Sequence, residues 1–147
     1  MLLGCEPMPV PGSPEAARLI RTQHEDLRLL LGRADRLARC ALRGDLDSAR
    51  PLITAVVRVR ETLLAHLEDE EALLPPARVA RLRGEHEAQR AAADTLTRMA
   101  SGDAAEMARG LRAFAATLLE DMRQEEAEGD APWFNPAPSS ALPLIRP

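Results

Sequence analysis

The residues able to do chemistry in this chain are three histidines and a small set of carboxylates. His24, His66 and His86 are its only histidines. Glu70 follows His66 by four residues, and Glu125 follows Asp121 by the same interval. On a helix, residues four apart stand one above the other on one face, so each pair offers two donor groups in a single direction. Imidazole mixed with carboxylate suits iron or manganese, and zinc accepts the same set. A glycine-rich phosphate loop, a CxxC pair and a serine nucleophile motif are all absent from the sequence.

Four helical patterns must position these groups. The first opens at Ser13-Pro14, a cap followed by proline at the first helical position, and runs through Ile20, Leu27, Leu31 and Ala34 to a stop at Gly44. The second begins near Asp47 or Ser48, tolerates Pro51 in its first turn, and ends at Pro75-Pro76. The third extends from Pro76 to Ala100 and closes at Ser101-Gly102. The fourth starts with Asp103 and Glu106 in the arrangement of a capping box and continues to Gly129. No stretch alternates with the period of a strand. The expected fold is all-α, an up-down-up-down four-helix bundle over residues 13-129, with an extended Pro-rich leader at 1-12 and an irregular Pro-rich tail at 130-147. Trp133 and Phe134 in that tail are expected to pack, over one bundle end or against a partner.

Because each residue of a helix rises about 1.5 Å, side chains equally far in sequence from a tight turn sit at one height on antiparallel neighbours. His24 and His66 flank the Gly44 turn at similar distances, and His66 and His86 flank Pro75-Pro76. Asp121 and Glu125 lie about as far beyond Gly102 as His86 lies before it. All six groups fall in one layer. They also share stripes with apolar residues: His24 with Ile20 and Leu27, His66 and Glu70 with Leu63 and Leu73, His86 with Leu82 and Ala93, Asp121 and Glu125 with Phe114 and Leu118. Burying such groups without partners costs several kcal/mol each, on the order expected for desolvated polar groups. Ligation of two cations resolves that cost, with Glu70 and Glu125 as bridges. The plainer alternative is a hydrogen-bonded polar core, with Glu68-Asp69-Glu70-Glu71 as a solvated acidic face.

The chain also repeats itself. Arg21-Thr22-Gln23-His24-Glu25 corresponds to Arg83-Gly84-Glu85-His86-Glu87, extending to Arg28 and Arg90. Leu63-Leu64-Ala65-His66 with Glu70-Glu71 corresponds to Leu118-Leu119-Glu120-Asp121 with Glu125-Glu126. Two similar helix pairs imply a pseudo-twofold axis, with Asp121 standing where His66 stood.

Composition narrows the function further. The 19 basic residues are all arginine and are outnumbered by 23 acidic ones, giving a net charge of -4. That balance supplies no footprint for nucleic acid or an anionic membrane, and aromatics at 2% leave few stacking surfaces. Two cysteines, Cys5 and Cys40, make no disulfide framework, and no signal peptide or membrane span is legible, so a cytoplasmic protein is expected.

The pattern His24, His66-xxx-Glu70, His86-xxx-Arg90, Asp121-xxx-Glu125 resembles the hemerythrin-like family, the HHE cation-binding domain. The phrase His66-Leu-Glu-Asp-Glu70-Glu71-Ala-Leu-Leu-Pro75 is especially similar. The resemblance implies a non-haem centre of two iron ions (manganese is the alternative) with bridging carboxylates and a bridging oxo or hydroxo ligand. It implies His24, His66, Glu70, His86, Asp121 and Glu125 as ligands, with Glu126 the alternative to Glu125. Two positions depart from the family pattern: Arg90 replaces a third-helix histidine and Asp121 a fourth-helix histidine. Fewer imidazoles make a harder, more anionic site, which favours an oxidative enzyme acting on a small substrate with dioxygen or peroxide over reversible oxygen carriage. Arg90 is then either a charge partner for Asp121 or Glu87, or an anchor for a small anionic substrate. A module that binds or senses oxygen, nitric oxide or iron is the second expectation, and a purely structural bundle the third.

Overall fold

Ser13 starts the first helix because its backbone is extended (φ -77°, ψ 160°) and its Oγ accepts the Ala16 N–H at 3.1 Å. Pro14, with no N–H to satisfy, takes the first helical position. The computed structural model describes residues 6–128 of the chain. They form four helices, α1 (Pro14–Leu42), α2 (Ala49–Leu73), α3 (Pro76–Arg98) and α4 (Ala104–Glu128), with 3-10 turns at Leu46–Ser48 and Met99–Ser101. No strand occurs among the described residues. The tail holding Trp133 and Phe134, and Cys5 in the leader, lie outside the described residues.

Each helix end has a local cause. At the end of α1, Gly44 adopts φ +88°, which a side chain would resist, and sends its N–H to Ala41 O while Asp45 N–H returns to Cys40 O. Asp45 then caps the following 3-10 turn by accepting Asp47 N–H at 3.0 Å. This turn sets the start of α2 at Ala49, slightly later than the apolar pattern implies. Pro75 and Pro76 break α2 from α3, Pro76 serving as the first residue of the new helix. At α4 the Asp103 carboxylate accepts Ala105 N–H at 3.1 Å. The cap bond therefore goes to the second residue of the helix and not, as in a capping box, to Glu106.

The helices run up and down around one axis. α1 packs along both α2 and α4, α2 along α3, and the α3–α4 seam is the loosest of the four. The core is divided into two apolar clusters. The larger fills most of the bundle with Leu27, Leu31, Leu52, Leu63, Met107 and Leu111 among its members. The smaller, at the end formed by the start of α1 and the α2–α3 turn, comprises Ala16, Ile20, Leu73, Leu74 and Leu82. Between the two lies a layer of buried polar side chains: His24, His66, Glu70, His86 and Glu125. Heptad-like stripes explain the arrangement, because each polar group replaces one apolar contact in an otherwise continuous helical face.

Candidate metal centre

Glu70 stands in the middle of the layer. Its Oε1 is 3.3 Å from His24 Nε2 and 3.2 Å from His66 Nε2, and its Oε2 is 3.0 Å from His86 Nε2. Glu125, entering from α4, brings Oε2 to 3.4 Å from His24 Nε2. Two buried groups of donor atoms result, His24 with His66 and Glu70, and Glu70 with His86 and Glu125, the atoms of each within 4.8 Å of one another. A single carboxylate thus belongs to both. The His24 and His66 rings meet edge to face with centroids 4.8 Å apart, which brings two Nε2 atoms to the same side of Glu70.

The contact between His86 Nε2 and Glu70 Oε2 is short, yet neither atom has a hydrogen-bond partner among the described residues. They are close without being aligned for a shared proton. Two polar atoms buried without hydrogen-bond partners in an apolar bundle are costly. A cation would satisfy both at once, because it asks lone pairs to converge on a point between them. Neutral imidazole nitrogens and carboxylate oxygens are the donors that iron, manganese or zinc take.

The opposite ring nitrogens fix which lone pairs face inward. His24 Nδ1 lies 3.0 Å from Glu126 Oε1, and Arg28 donates to the other oxygen of that carboxylate at 2.7 Å. His86 Nδ1 lies 3.2 Å from Glu71 Oε1, to which Arg90 also donates at 2.8 Å. At His66 the partner is Gln23 Oε1, 2.7 Å from Nδ1. The Gln23 amide is itself oriented by Asp69, whose Oδ2 accepts from Gln23 Nε2 at 2.6 Å. Since all three partners are acceptors, each histidine donates from Nδ1 and turns Nε2 toward the centre, the usual support for a ligating imidazole.

Proton balance in the metal-free layer follows the same contacts. Burial pulls the His24 imidazolium down, but contacts with Glu125 and Glu70 outweigh it and hold the pKa up at about 10. His86 is raised likewise against burial by Glu70 and Glu71. Burial pushes Glu70 up, and the three histidines together bring it well below the usual carboxylate range. Glu85 goes the other way: burial, then the Glu125 carboxylate beside it, push it to about 9. The raised His24 and His86 thus offset the lowered Glu70 within the layer.

The hemerythrin HHE cation-binding domain family matches residues 15–129. The chain belongs to that family. No curated protein and no solved structure matches it. Within this hemerythrin-family bundle, five of the six residues expected as ligands (His24, His66, Glu70, His86 and Glu125) meet in the buried layer. Asp121 is not in either donor group. Its Oδ2 accepts from Gln89 Nε2 at 3.1 Å, and the same amide nitrogen lies 3.3 Å from Glu85 Oε1. Glu126, the alternative to Glu125, faces the outer nitrogen of His24 instead. Arg90 makes its ion pair with Glu71 at 2.8 Å and lines a separate hollow with Glu71, Val79, Arg83 and Glu87, away from Asp121.

Four residues of the hemerythrin-type centre escaped the sequence reading: Gln23, Glu71 and Glu126 behind the histidines, with the last considered only as a ligand, and Glu85 beside Glu125. The signal was present in the repeat. Gln23 and Glu85 each immediately precede a histidine of the repeated motif, and the Glu70-Glu71 pair recurs as Glu125-Glu126. The first glutamate of each pair turns inward, while the second, about 100° further round the helix, backs the histidine of the adjacent helix.

Proposed function

We propose that this hemerythrin-family chain is a non-haem di-iron protein that oxidises a small organic substrate with dioxygen or peroxide as electron acceptor. The observation that carries the reading is the position of Glu70, whose two oxygens face two separate sets of histidine nitrogens. His24 and His66 would hold one ion, His86 and Glu125 the other, with Glu70 shared. Ions bound there supply Lewis acidity and a change of oxidation state.

The protein's own residues supply the rest. Gln23, Glu71 and Glu126 keep each imidazole in the tautomer that presents Nε2 inward. Ile20, Leu73, Leu74 and Leu82 cover the layer on one side and Leu27, Leu63 and Leu67 on the other, excluding bulk water from the donor atoms. The two halves differ in a way that favours oxidation over carriage. The His24 and His66 side offers two imidazoles with the shared Glu70, whereas the His86 side offers one imidazole with Glu70 and Glu125. More carboxylates stabilise a higher charge on that side. No helix among the described residues is long and apolar enough to cross a membrane. Sparing use of cysteine supports a cytosolic setting.

The test is metal content per chain together with the visible spectrum of the reduced protein on exposure to air. Close to two irons and a band that decays to a ferric spectrum support oxidation. A band that persists in air and reverses under argon assigns the centre to carriage or sensing instead. A chain that takes up no metal overturns the reading.

A further inference from the structure

The loosest seam of the bundle, between α3 and α4, contains a cleft of about 590 Å³. That falls within the range of small-molecule sites, roughly 300–1,000 Å³. The apolar floor is formed by Leu96, Phe114 and Leu118, all buried, and the walls by the small exposed side chains of Ala88, Ala92 and Ala113. The acidic and amide groups, Glu85, Gln89 and Asp121, gather at one end, with the Thr95 and Thr117 hydroxyls further along the walls. Glu85 contacts Glu125, so this end abuts the metal layer. From Glu85 to Met99 the groove follows α3 for about 21 Å at the rise of a helix.

The repeat explains the space. His24 and His86 correspond, so Ala92 and Ala93 hold the positions of Leu30 and Leu31 in the first half. Side-chain volume is withdrawn from this seam. At the far end Gly110 lets Met99 settle closely, since a Cβ there would come within 3.0 Å of the Met99 sulfur. A flexible thioether is a wall that adapts to the length of what lies beside it.

We propose that this cleft binds the organic substrate, an extended apolar molecule whose hydroxyl or amine head lies at Glu85 and Asp121. This rests on the oxidative reading of the metal centre. The charge of the cleft selects the head. Of the described residues lining it none is basic, although the chain carries 19 arginines, while two are acidic. A carboxylate head would be buried beside the Asp121 carboxylate with no cation to pair it, whereas a hydroxyl or ammonium group can donate to the oxygens of Asp121 and Glu85. This reverses the anionic substrate expected from Arg90, which lies outside the cleft and is held by Glu71.

The proposal is tested by titrating 1-decanol, decylamine and decanoate into protein carrying ¹³C-labelled methionine methyls, in both metal-free and iron-loaded forms. Met99 lines the cleft, and buried Met107 and Met122 serve as internal controls. Decanol and decylamine are expected to shift the Met99 methyl saturably and at least tenfold more tightly than decanoate. Ala92→Trp, at an exposed wall position, is expected to weaken both at least tenfold while leaving the circular dichroism and iron content unchanged. Absence of a saturable Met99 shift overturns the proposal. So does tight binding of decanoate, an unaffected Ala92→Trp variant, or a Met99 shift that follows protein concentration and so marks a second copy of the chain. Saturable binding by a chain that takes up no iron keeps the cleft and removes the metal reading, whereas iron uptake without binding does the reverse.

Discussion

Glu126 Oε1 stands 3.0 Å from His24 Nδ1, a contact from the last turns of α4 to the first half of α1. Its counterpart under the internal repeat is Glu71 behind His86, at 3.2 Å, and each carboxylate is held in turn by an arginine, Arg28 or Arg90. The pseudo-twofold symmetry therefore extends beyond the donor atoms to the groups that orient them. Contacts of this kind commonly govern about 10–100-fold in metal affinity.

Replacing those carboxylates should weaken one half of the centre at a time. Glu126→Gln is expected to lower affinity for the ion at His24 and His66 by about 10–100-fold, and Glu71→Gln that for the ion at His86. Stepwise titration against a competing chelator reads both constants. An equal loss at both steps in either variant would contradict the assignment.

Glu70→Gln should have the larger effect. The substitution keeps the shape but removes the charge that three histidines share. Metal content is expected to drop from near two to one or fewer per chain, with the helical circular dichroism retained. Two tightly bound ions in the variant would show that Glu70 is not the common ligand.

The pH dependence of stability should differ between the metal-free and loaded forms. His24 is raised from 6.5 to about 10, so its contribution to the metal-free fold is complete below about 6.5 and is lost as pH climbs through 10. Glu85, raised from 4.5 to about 9, is protonated in the folded state and loses stability over the interval between those values. Glu70, held low, contributes above 4.5 and fails only in stronger acid. The metal-free protein should therefore be most stable near pH 5 and weaken steadily toward pH 10. Metal displaces the same protons, so its stabilising effect should grow across that range. Thermal unfolding of both forms from pH 5 to 9.5 measures the difference, and a constant gap would refute the proton competition.

Arg90→Ala is expected to resemble a milder Glu71→Gln. The guanidinium is one-third exposed and fixes Glu71, so its removal should loosen the His86 side without changing the number of ions bound. If turnover of an anionic substrate falls selectively while metal affinity is unchanged, Arg90 has the anchoring role and the positioning role is wrong.

Much of this was legible in the residues. Ser13-Pro14, Gly44 and Pro75-Pro76 mark helix ends through backbone chemistry that operates locally, and the structure ends its helices there. The layer of His24, His66, Glu70, His86 and Glu125 followed from counting heights, because antiparallel helices joined by short turns leave little freedom of register. Asp121 was harder to place. It shares the stripe, but a short side chain one turn below Glu125 meets Gln89 before it reaches the donor atoms. Nor can a stripe reveal what lies on the next face round: Glu71 and Glu126 look like solvated charge in sequence, and only the adjacent helix gives them a histidine to hold. The cleft is likewise a property of two helices together, visible only as alanines where the other half has leucines.

Among the described residues the smaller apolar cluster has five buried members, and one of its outer ties is the Gly12 N–H donated to Leu73 O at 2.8 Å. Among the described residues that end carries the thinner apolar cover over the buried donors. Where release of an ion to a chelator proceeds by opening of this cap, retention is governed by the rate of a local unfolding event as much as by the strength of the bonds to the metal. The centre would hold its ions as a latched box does, by the infrequency with which the lid lifts.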